Sequence, residues 1–233
     1  MSGHNKWSTI KHRKGAQDAK RSKIFSRIAK AIAVAVQNGG PDPETNSALK
    51  LAMDQGRKAN MPKDNIERAM KRGSGDESAR IEEVTYEAMG PGGSAMMIMC
   101  ATDNTNRTLT DVKTALKKNG GKFVPSGSVG FQFDFVGYIS TTPTDIEAAE
   151  LEAIEYGAED VIVEDKNLII ITKTHDLHAV LKNIDTDTVN EARLVYNPTQ
   201  PVTLSDQDKK AYTVLYEIIE DLDDVVEIFD NVA

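Results

Sequence analysis

The chain has 233 residues, of which 39% are hydrophobic, and its formal net charge is −8 at pH 7. This length exceeds one typical domain of roughly 100 to 150 residues, so we expect two or three domains. No segment approaches the roughly 20 apolar residues that span a bilayer, and the N-terminus lacks the apolar core of a signal peptide. The single cysteine, Cys100, excludes an intrachain disulfide. These features predict a cytoplasmic protein without membrane attachment, with Cys100 buried as a small hydrophobic residue.

The charge is unevenly distributed along the chain. Residues 1–75 hold sixteen basic and six acidic residues, a local charge of +10, whereas the remainder holds twelve basic and thirty acidic residues, or −18. A basic segment attracts phosphate within about a Debye length, roughly 8 Å at physiological salt, while an acidic body repels the same polyanion. We therefore expect nucleic acid to bind at the N-terminal end. The alternative is a solvated basic face that serves solubility.

Three helices are predicted first. Apolar residues recur at helical spacing over 16–37, and Gly39 and Gly40 end this helix because glycine accepts the left-handed conformation that often follows one. A second helix is predicted over 47–58 and a third over 62–73, since Pro62 suits a first helical position. Together they form a three-helix domain within residues 1–75.

A basic stripe runs along the first predicted helix. Its members are spaced by three or four residues and lie outside the apolar face, so we expect core packing to leave them in solvent. We predict that they contact nucleic acid. The stripe consists of Lys20, Lys23, Arg27 and Lys30, with Arg21 beside it.

Strands dominate after the linker at 73–75. Segments 81–89 and 94–102 flank a Gly-Pro-Gly-Gly turn and predict a hairpin. A helix over 107–119 follows, and alternating apolar residues over 128–134 predict a strand whose apolar side covers that helix.

The later elements predict an inserted domain. Over 137–197 the order is strand, helix, strand, strand, helix, strand, which is the ferredoxin-like order, and Thr144 is placed to cap its first helix. The C-terminal stretch adds a strand near Val202, a helix over 206–222 capped by Ser205, and a strand over 225–229. This tail needs a partner sheet. We therefore predict an α+β, multi-domain fold in which 137–197 is inserted into a discontinuous domain. That domain comprises 76–136 and 198–233.

Five motifs carry a family resemblance. They are GHNKWSTIKHRKGAQDAKRSKIF at 3–25, NMPKDNIERAMKRG at 60–73, YEAMGPGG at 86–93, DNTNRT at 103–108 and PSGSVGFQF at 125–133. The chain closely resembles the YebC/PmpR family, with Ser22 where many members carry glycine. The resemblance implies an N-terminal helical domain and two α+β domains, in cytoplasmic bacterial proteins and mitochondrial relatives.

The resemblance also implies a regulator of gene expression. Members of the family are widely described as DNA-binding transcriptional regulators. The mitochondrial relatives resemble translational activators of cytochrome oxidase subunit one, and some bacterial members resemble ribosome-associated factors. The resemblance therefore leaves DNA and ribosomal RNA open as targets.

Residues 4–14 resemble an arm that becomes ordered on its target. Trp7 can stack on an unpaired base for about 1 to 3 kcal/mol, or alternatively cap the helical core. His12 lies among cations that disfavour a metal ion nearby, so we expect it to donate a hydrogen bond to a phosphate instead. Each basic residue of the arm can neutralise a phosphate. These residues are Lys6, Lys11, Arg13 and Lys14.

Other cations predict a second contact region. Arg107 lies in the DNTNRT motif, where Asn and Thr side chains favour a helix cap over an RNA or protein contact. The turn at 90–93 lacks the Lys-Ser/Thr of a phosphate-binding loop, which favours a hairpin turn. The cations that flank the main interface are Lys58, Lys63, Arg68, Lys71 and Arg72.

No set of nucleophile, base and orienting residue stands out, and His175 and His178 lack a third metal ligand. We therefore predict a non-enzymatic protein with no cofactor, no metal and no small-molecule substrate. A DNA-binding regulator needs side chains that read base edges, and no recognition-helix signature is evident. A ribosome-bound translation factor needs mainly shape and phosphate recognition. A third hypothesis is an acidic adaptor whose basic N-terminal part docks on a protein.

Overall fold

The computed structural model describes residues 17–75, 81–185 and 187–233. It combines an N-terminal helical region with two antiparallel sheets, which confirms the predicted α+β multi-domain fold. The chain divides into two compact units. The inserted unit contains Phe133–Thr199, and the main unit contains the described residues up to Gln132 together with Gln200–Ala233. Within the described residues, no helix is long and apolar enough to cross a membrane.

The helical region contains three helices around one core. Ile32 of the first helix and Leu49 of the second are fully buried there. Asn46 ties these two helices together, because its Nδ2 donates to the carbonyl oxygens of Ala35 (2.7 Å) and Gly40 (2.8 Å). Its Oδ1 accepts from the amide of Leu49 (3.0 Å), which caps the second helix. The helices are α1 (Gln17–Gly39), α2 (Ser47–Lys58) and α3 (Lys63–Gly73).

The main unit also contains a four-stranded antiparallel sheet in the order β3-β1-β2-β8. Two helices pack on it through a buried core that includes Leu116, Tyr212 and Leu215. The last strand pairs with β2, which confirms that the C-terminal tail completes this sheet. Its elements are β1 (Glu82–Met89), β2 (Ala95–Thr102), α4 (Thr105–Lys118), β3 (Lys122–Val124), α7 (Asp206–Glu220) and β8 (Val225–Asp230).

The inserted unit has its own antiparallel sheet in the order β5-β6-β4-β7. This confirms the predicted strand and helix order. Fully buried side chains such as Ile139, Leu168 and Ile170 form its core. Its elements are β4 (Phe133–Thr141), α5 (Ile146–Glu155), β5 (Asp160–Glu164), β6 (Asn167–Thr172), α6 (Leu177–Leu181) and β7 (Val189–Pro198).

The strand predicted over 128–134 is wrong up to Gln132, and its last two residues belong to β4. The chain instead makes a 3₁₀ turn at Gly130–Gln132, and Phe131 is 67% exposed. The buried carboxylate of Glu87 accepts from the amides of Gly127 (2.5 Å), Val129 (2.7 Å) and Gly130 (2.9 Å). This long-range contact bends the segment into a loop, which the alternation of apolar residues does not reveal.

The predicted cap at Thr144 is also wrong. Asp145 caps α5 instead, since its Oδ1 accepts from the amide of Ala148 (3.1 Å). The predicted cap of α7 is confirmed, because the Ser205 hydroxyl accepts from the amide of Asp208 (3.2 Å). Aspartate and threonine both occur as helix caps, so residue type alone did not distinguish Asp145 from the neighbouring Thr144.

Candidate nucleic-acid interface

Much of the predicted interface lies outside the described residues. This applies to the whole arm, with Lys6, Trp7, Lys11, His12, Arg13 and Lys14. The backbone of α1 includes Lys20, Arg21 and Lys23, but their side chains are outside the described part. The geometry of the interface therefore begins at residue 24.

Arg27 and Lys30 do not remain in solvent, so that part of the stripe prediction is wrong. Arg27 Nη2 donates to the carbonyl oxygen of Glu220 (2.5 Å), and its Nη1 lies 3.5 Å from Glu220 Oε1. Lys30 Nζ donates to the carbonyl oxygen of Asp223 (2.6 Å) and to Asp224 Oδ1 (2.7 Å). Only 24% of the Arg27 side chain and 15% of the Lys30 side chain are exposed. These two cations hold α1 against the end of α7 and the start of β8.

A second buried face of α1 explains this outcome. Val34 follows Lys30 at helical spacing and is buried against Ile81 and Ala101 of the main unit. The face that carries Arg27 and Lys30 therefore packs against the α+β body, while the apolar face of α1 packs on α2 and α3. Periodicity revealed only the first face, because the second combines Arg27 and Lys30 with the apolar Val34.

Asp224 is the centre of a polar cluster, here called the Asp224 cluster. Its carboxylate accepts from Lys30 Nζ (2.7 Å), Thr108 Oγ1 (2.7 Å), Arg107 Nη2 (3.0 Å) and Thr102 Oγ1 (3.1 Å). Burial by itself raises the pKa of Asp224, but the hydrogen bonds from Lys30, Thr108 and Arg107 outweigh it and hold that pKa well below its ordinary value. Asp224 is therefore ionised throughout the physiological range.

The Asp224 cluster also affects Cys100. This residue is 1% exposed, as the sequence predicted, and burial together with the Asp224 charge raises the pKa of its thiol to about 12. A thiol that stays protonated is a poor nucleophile. Cys100 therefore serves as a core residue.

The DNTNRT motif forms a cap and an ion-pair junction. Asn104 Oδ1 accepts from the amide of Arg107 (3.0 Å), which confirms the predicted cap at the start of α4. Arg107 Nη2 also lies 3.0 Å from Asp103 Oδ1, and Arg72 of α3 lies 3.6 Å from Asp103 Oδ2. Arg72 and Arg107, predicted as flanking contacts, are therefore both paired with acidic residues of the α+β body.

Other cations remain exposed at one end of the helical region. A Cβ atom at Gly56 would lie 3.4 Å from both Ile28 and Ile66, so the end of α2 and the start of α3 meet beside α1. This arrangement places three exposed cations together, here called the basic end. They are Arg57, Lys58 and Lys63.

Ion pairs at the basic end are local and exposed. Arg57 Nη1 lies 2.7 Å from Asp54, with 64% of the Arg57 side chain exposed, and Lys63 Nζ lies 3.5 Å from Glu67, with 87% of the Lys63 side chain exposed. Such pairs contribute little and are readily exchanged for a phosphate. Sequence reasoning missed Arg57, although it adjoins Lys58 in the chain.

The exposed face of α3 carries Arg68 and Lys71. Arg68 Nη2 donates to Asn65 Oδ1 (2.8 Å), and its Nε donates to the carbonyl oxygen of Asp64 (3.2 Å). The two side chains of α3 best suited to read bases thus bond to each other. Lys71 is exposed and forms no ion pair with a side chain that the structure describes. This face suits phosphate contact better than base reading.

The glycine-rich segment at 90–93 closes the hairpin between β1 and β2. The amide of Gly90 donates to the carbonyl oxygen of Ser94 (2.8 Å), and Gly92 has a φ of +67°. A Cβ atom there would lie 2.6 Å from Leu204 Cδ2, so both conformation and space favour glycine. The interpretation as a hairpin turn is confirmed.

The chain is similar in sequence and in fold to known proteins. A protein of Bacillus licheniformis, named a probable transcriptional regulatory protein, is 43% identical over 245 residues that cover 100% of both chains. The probable transcriptional regulatory protein YrbC of Bacillus subtilis is 40% identical over 99% of each chain. The crystal structure of a conserved hypothetical protein from Aquifex aeolicus has a TM-score of 0.87 and 38% identity, over 97% of this chain and 96% of that chain.

Family models match nearly the whole chain. The model of the TACO1/YebC protein N-terminal domain matches residues 5–76, and the model of the TACO1/YebC second and third domain matches residues 81–232. Together the two matched ranges span the five sequence motifs except residues 3 and 4. This chain therefore belongs to the TACO1/YebC family.

Proposed function

We propose that this chain is a non-enzymatic regulator of gene expression that binds nucleic acid through its N-terminal arm, the first turns of α1 and the basic end. One observation carries the proposal: the cations of the helical region fall into two groups. Those facing the body (Arg27, Lys30 and Arg72) are paired with its acidic residues. At the basic end, Arg57 and Lys63 are exposed and pair with Asp54 and Glu67 of their own helices. A polyanion is thus attracted to one end of an otherwise acidic chain.

The first candidate target is DNA, in transcriptional regulation. The support comes from the relatives, which are named probable transcriptional regulatory proteins. On this hypothesis, phosphate contacts from the arm and the basic end position the protein on the duplex.

The second candidate is structured RNA, in translation on the ribosome. The support is the internal pairing of Arg68 with Asn65, which leaves α3 without a free base-reading pair. Recognition by shape, phosphate and stacking on Trp7 suits RNA better than duplex DNA.

The test is fluorescence anisotropy with a DNA duplex and a structured RNA hairpin as probes, over a series of salt concentrations. We expect Lys11→Glu/Arg13→Glu and Lys58→Glu/Lys63→Glu each to weaken binding by about ten-fold or more, because phosphate contacts dominate affinity. Lys209→Glu/Lys210→Glu on α7 changes the charge equally at exposed sites of the body and is the matched control.

The outcomes separate the candidates. Stronger binding of the RNA, with co-sedimentation of the protein with ribosomes that the arm variant abolishes, supports the translation role. Sequence-dependent binding of DNA supports the transcription role. Binding of neither probe, or equal weakening by the control variant, overturns the proposal. A cellular complex that survives nuclease treatment would instead favour the protein-docking adaptor.

A further inference from the structure

We propose that the outer face of α5, in the inserted unit, docks a basic polypeptide segment that carries apolar side chains. Leu151 is 65% exposed and Ile154 is 55% exposed, and both lie on this helix. Residues three apart are neighbours on a helix surface, so the two side chains form one apolar patch. Single exposed apolar residues are ordinary, and an adjacent pair offers a larger apolar surface that a partner can cover.

The packing of α5 is the reverse of the packing of an ordinary surface helix. Its fully buried residue is Ala153, at 1% exposure, and Ala149 is half-buried. Apart from the partly buried Ile146 at its start, the helix thus packs with small side chains and presents larger ones to solvent. An ordinary surface helix turns its large apolar side chains toward the core.

Charge around the patch selects the kind of occupant. Residues 145–165 contain nine acidic residues and no lysine or arginine. Glu147, Glu152 and Glu155 are exposed on α5 itself and form no ion pair within the described residues. This field repels nucleic acid and attracts cationic segments. To contact the apolar patch, the partner also needs aliphatic or aromatic side chains between its cations. An amphipathic basic protein segment meets both requirements.

The surface is independent of the N-terminal basic end, so it gives the protein a second contact of opposite charge. A nucleoprotein target offers both kinds of surface, namely phosphate for the basic end and Lys/Arg-rich protein for α5. The proposal concerns only the second contact and does not depend on which nucleic acid is bound.

The first test uses a synthetic amphipathic Lys/Leu peptide as the probe and the full chain as the receptor, with anisotropy as the readout. We expect Leu151→Ser/Ile154→Ser to weaken binding by about ten-fold or more, since burial of aliphatic surface against the peptide drives the association. Val214→Ser on α7 removes another exposed apolar residue, 53% exposed, and is the matched control. Glu147→Gln/Glu155→Gln should weaken binding and flatten its salt dependence.

Two results would overturn the proposal. One is equal binding of a Lys/Ser peptide of the same charge, because then the apolar patch plays no part. The other is equal binding by the Leu151→Ser/Ile154→Ser variant. The oligomeric state is measured in parallel by light scattering. A wild-type dimer that this variant dissociates would identify a second copy as the occupant and would also overturn the proposal, whereas an unchanged monomer would support it.

Discussion

The Asp224 carboxylate accepts hydrogen bonds from α1, β2 and α4, so one side chain joins three elements of the main unit. Its side chain is 13% exposed, and two of its donors, Lys30 and Arg107, are cations. A charge so enclosed is stable only because it is fully hydrogen-bonded. Removing it leaves Lys30 without its carboxylate partner, whereas Arg107 keeps its contact with Asp103.

We predict that Asp224→Asn lowers the free energy of unfolding by about 3 kcal/mol, because it leaves Lys30 uncompensated in a buried site. Urea unfolding at neutral pH measures this loss. Asp223→Asn is the matched control, since its side chain is exposed and only its backbone carbonyl contacts Lys30, and it should change stability by no more than about 0.5 kcal/mol. Equal losses in the two variants would contradict the assignment.

Wild type and Asp224→Asn should also differ in how their stability depends on pH. The native pKa of Asp224 is lowered relative to the unfolded value of about 3.9, so its stabilisation is present above that value and is lost as the pH falls through the native pKa. We expect the stability difference between wild type and Asp224→Asn to stay constant above about pH 5 and to shrink below about pH 4. A constant difference down to the lowest accessible pH would contradict this linkage.

Glu87 of β1 has a comparable role, because it holds the loop before β4 in place. It is 5% exposed, and although burial raises its pKa, the amides of Val129, Gly127 and Gly130 and the Ser126 hydroxyl together lower that pKa below its ordinary value. We predict that Glu87→Gln costs about 2 kcal/mol, since an amide offers one acceptor oxygen where the carboxylate offers two.

Hydrogen exchange measures this effect locally. In Glu87→Gln, the amides of Val129 and Gly130 should exchange faster than in wild type. Glu82→Gln, on an exposed position of the same strand, is the control and should leave those rates unchanged. Unchanged exchange in Glu87→Gln would show that the loop is held by other contacts.

At the scale of elements, α1 is buried on two sides. One side packs on α2 and α3, and the other packs on the α+β body. The contact between α1 and α3 is especially close at Gly73. A Cβ atom there would lie against the carbonyl oxygen of Ala33 and 2.8 Å from Val36 Cβ. The end of α3 therefore requires a residue without a side chain.

We predict that Gly73→Ala destabilises the protein by about 1 to 3 kcal/mol, because overpacking outweighs the gain of about 1 kcal/mol that alanine gives inside a helix. Thermal and urea unfolding measure the change. Gly75→Ala is the control, since its nearest neighbour would lie 3.4 Å from the new Cβ atom, and it should be close to neutral. A stabilised Gly73→Ala variant would mean that the two helices separate without cost.

At the scale of the whole chain, the basic and acidic parts are in direct contact as well as distinct in sequence. The body uses Glu220 and Asp224 to pair with α1, and it uses Asp103 to pair with α3. The pairs of Arg27 and Lys30 remove these two cations from the surface that a polyanion reaches, because their side chains are largely buried. Net charge along the sequence therefore overstates the number of cations available for binding.

We predict that two double variants with equal charge changes have opposite effects, one on stability and the other on the salt dependence of nucleic-acid binding. Arg27→Gln/Lys30→Gln should lower stability by about 2 kcal/mol and leave the salt dependence of nucleic-acid binding unchanged. Lys63→Gln/Lys71→Gln should keep stability within about 0.5 kcal/mol and reduce the slope of log affinity against log salt by about 1 for each lost phosphate contact. The reverse pattern would show that Arg27 and Lys30 leave their acidic partners to bind nucleic acid.

Local patterns were sufficient for most elements. The three N-terminal helices, the hairpin at 82–102 and the order of elements in the inserted unit followed from periodicity, glycine and proline positions and capping residues. These signals act between residues close in sequence, so they can be recognised without the fold. The family resemblance came from the same source, since its motifs are contiguous.

Long-range contacts determined the remaining features. Glu87 converts a strand-like alternation into a loop forty residues away in sequence, as its bond to Gly127 shows. Lys30 and Asp224 are 194 residues apart, so no local pattern could tell a buried cation from a solvated one. Which cations face solvent depends on the docking of the helical region against the body, because an ion pair forms only where folding brings opposite charges together.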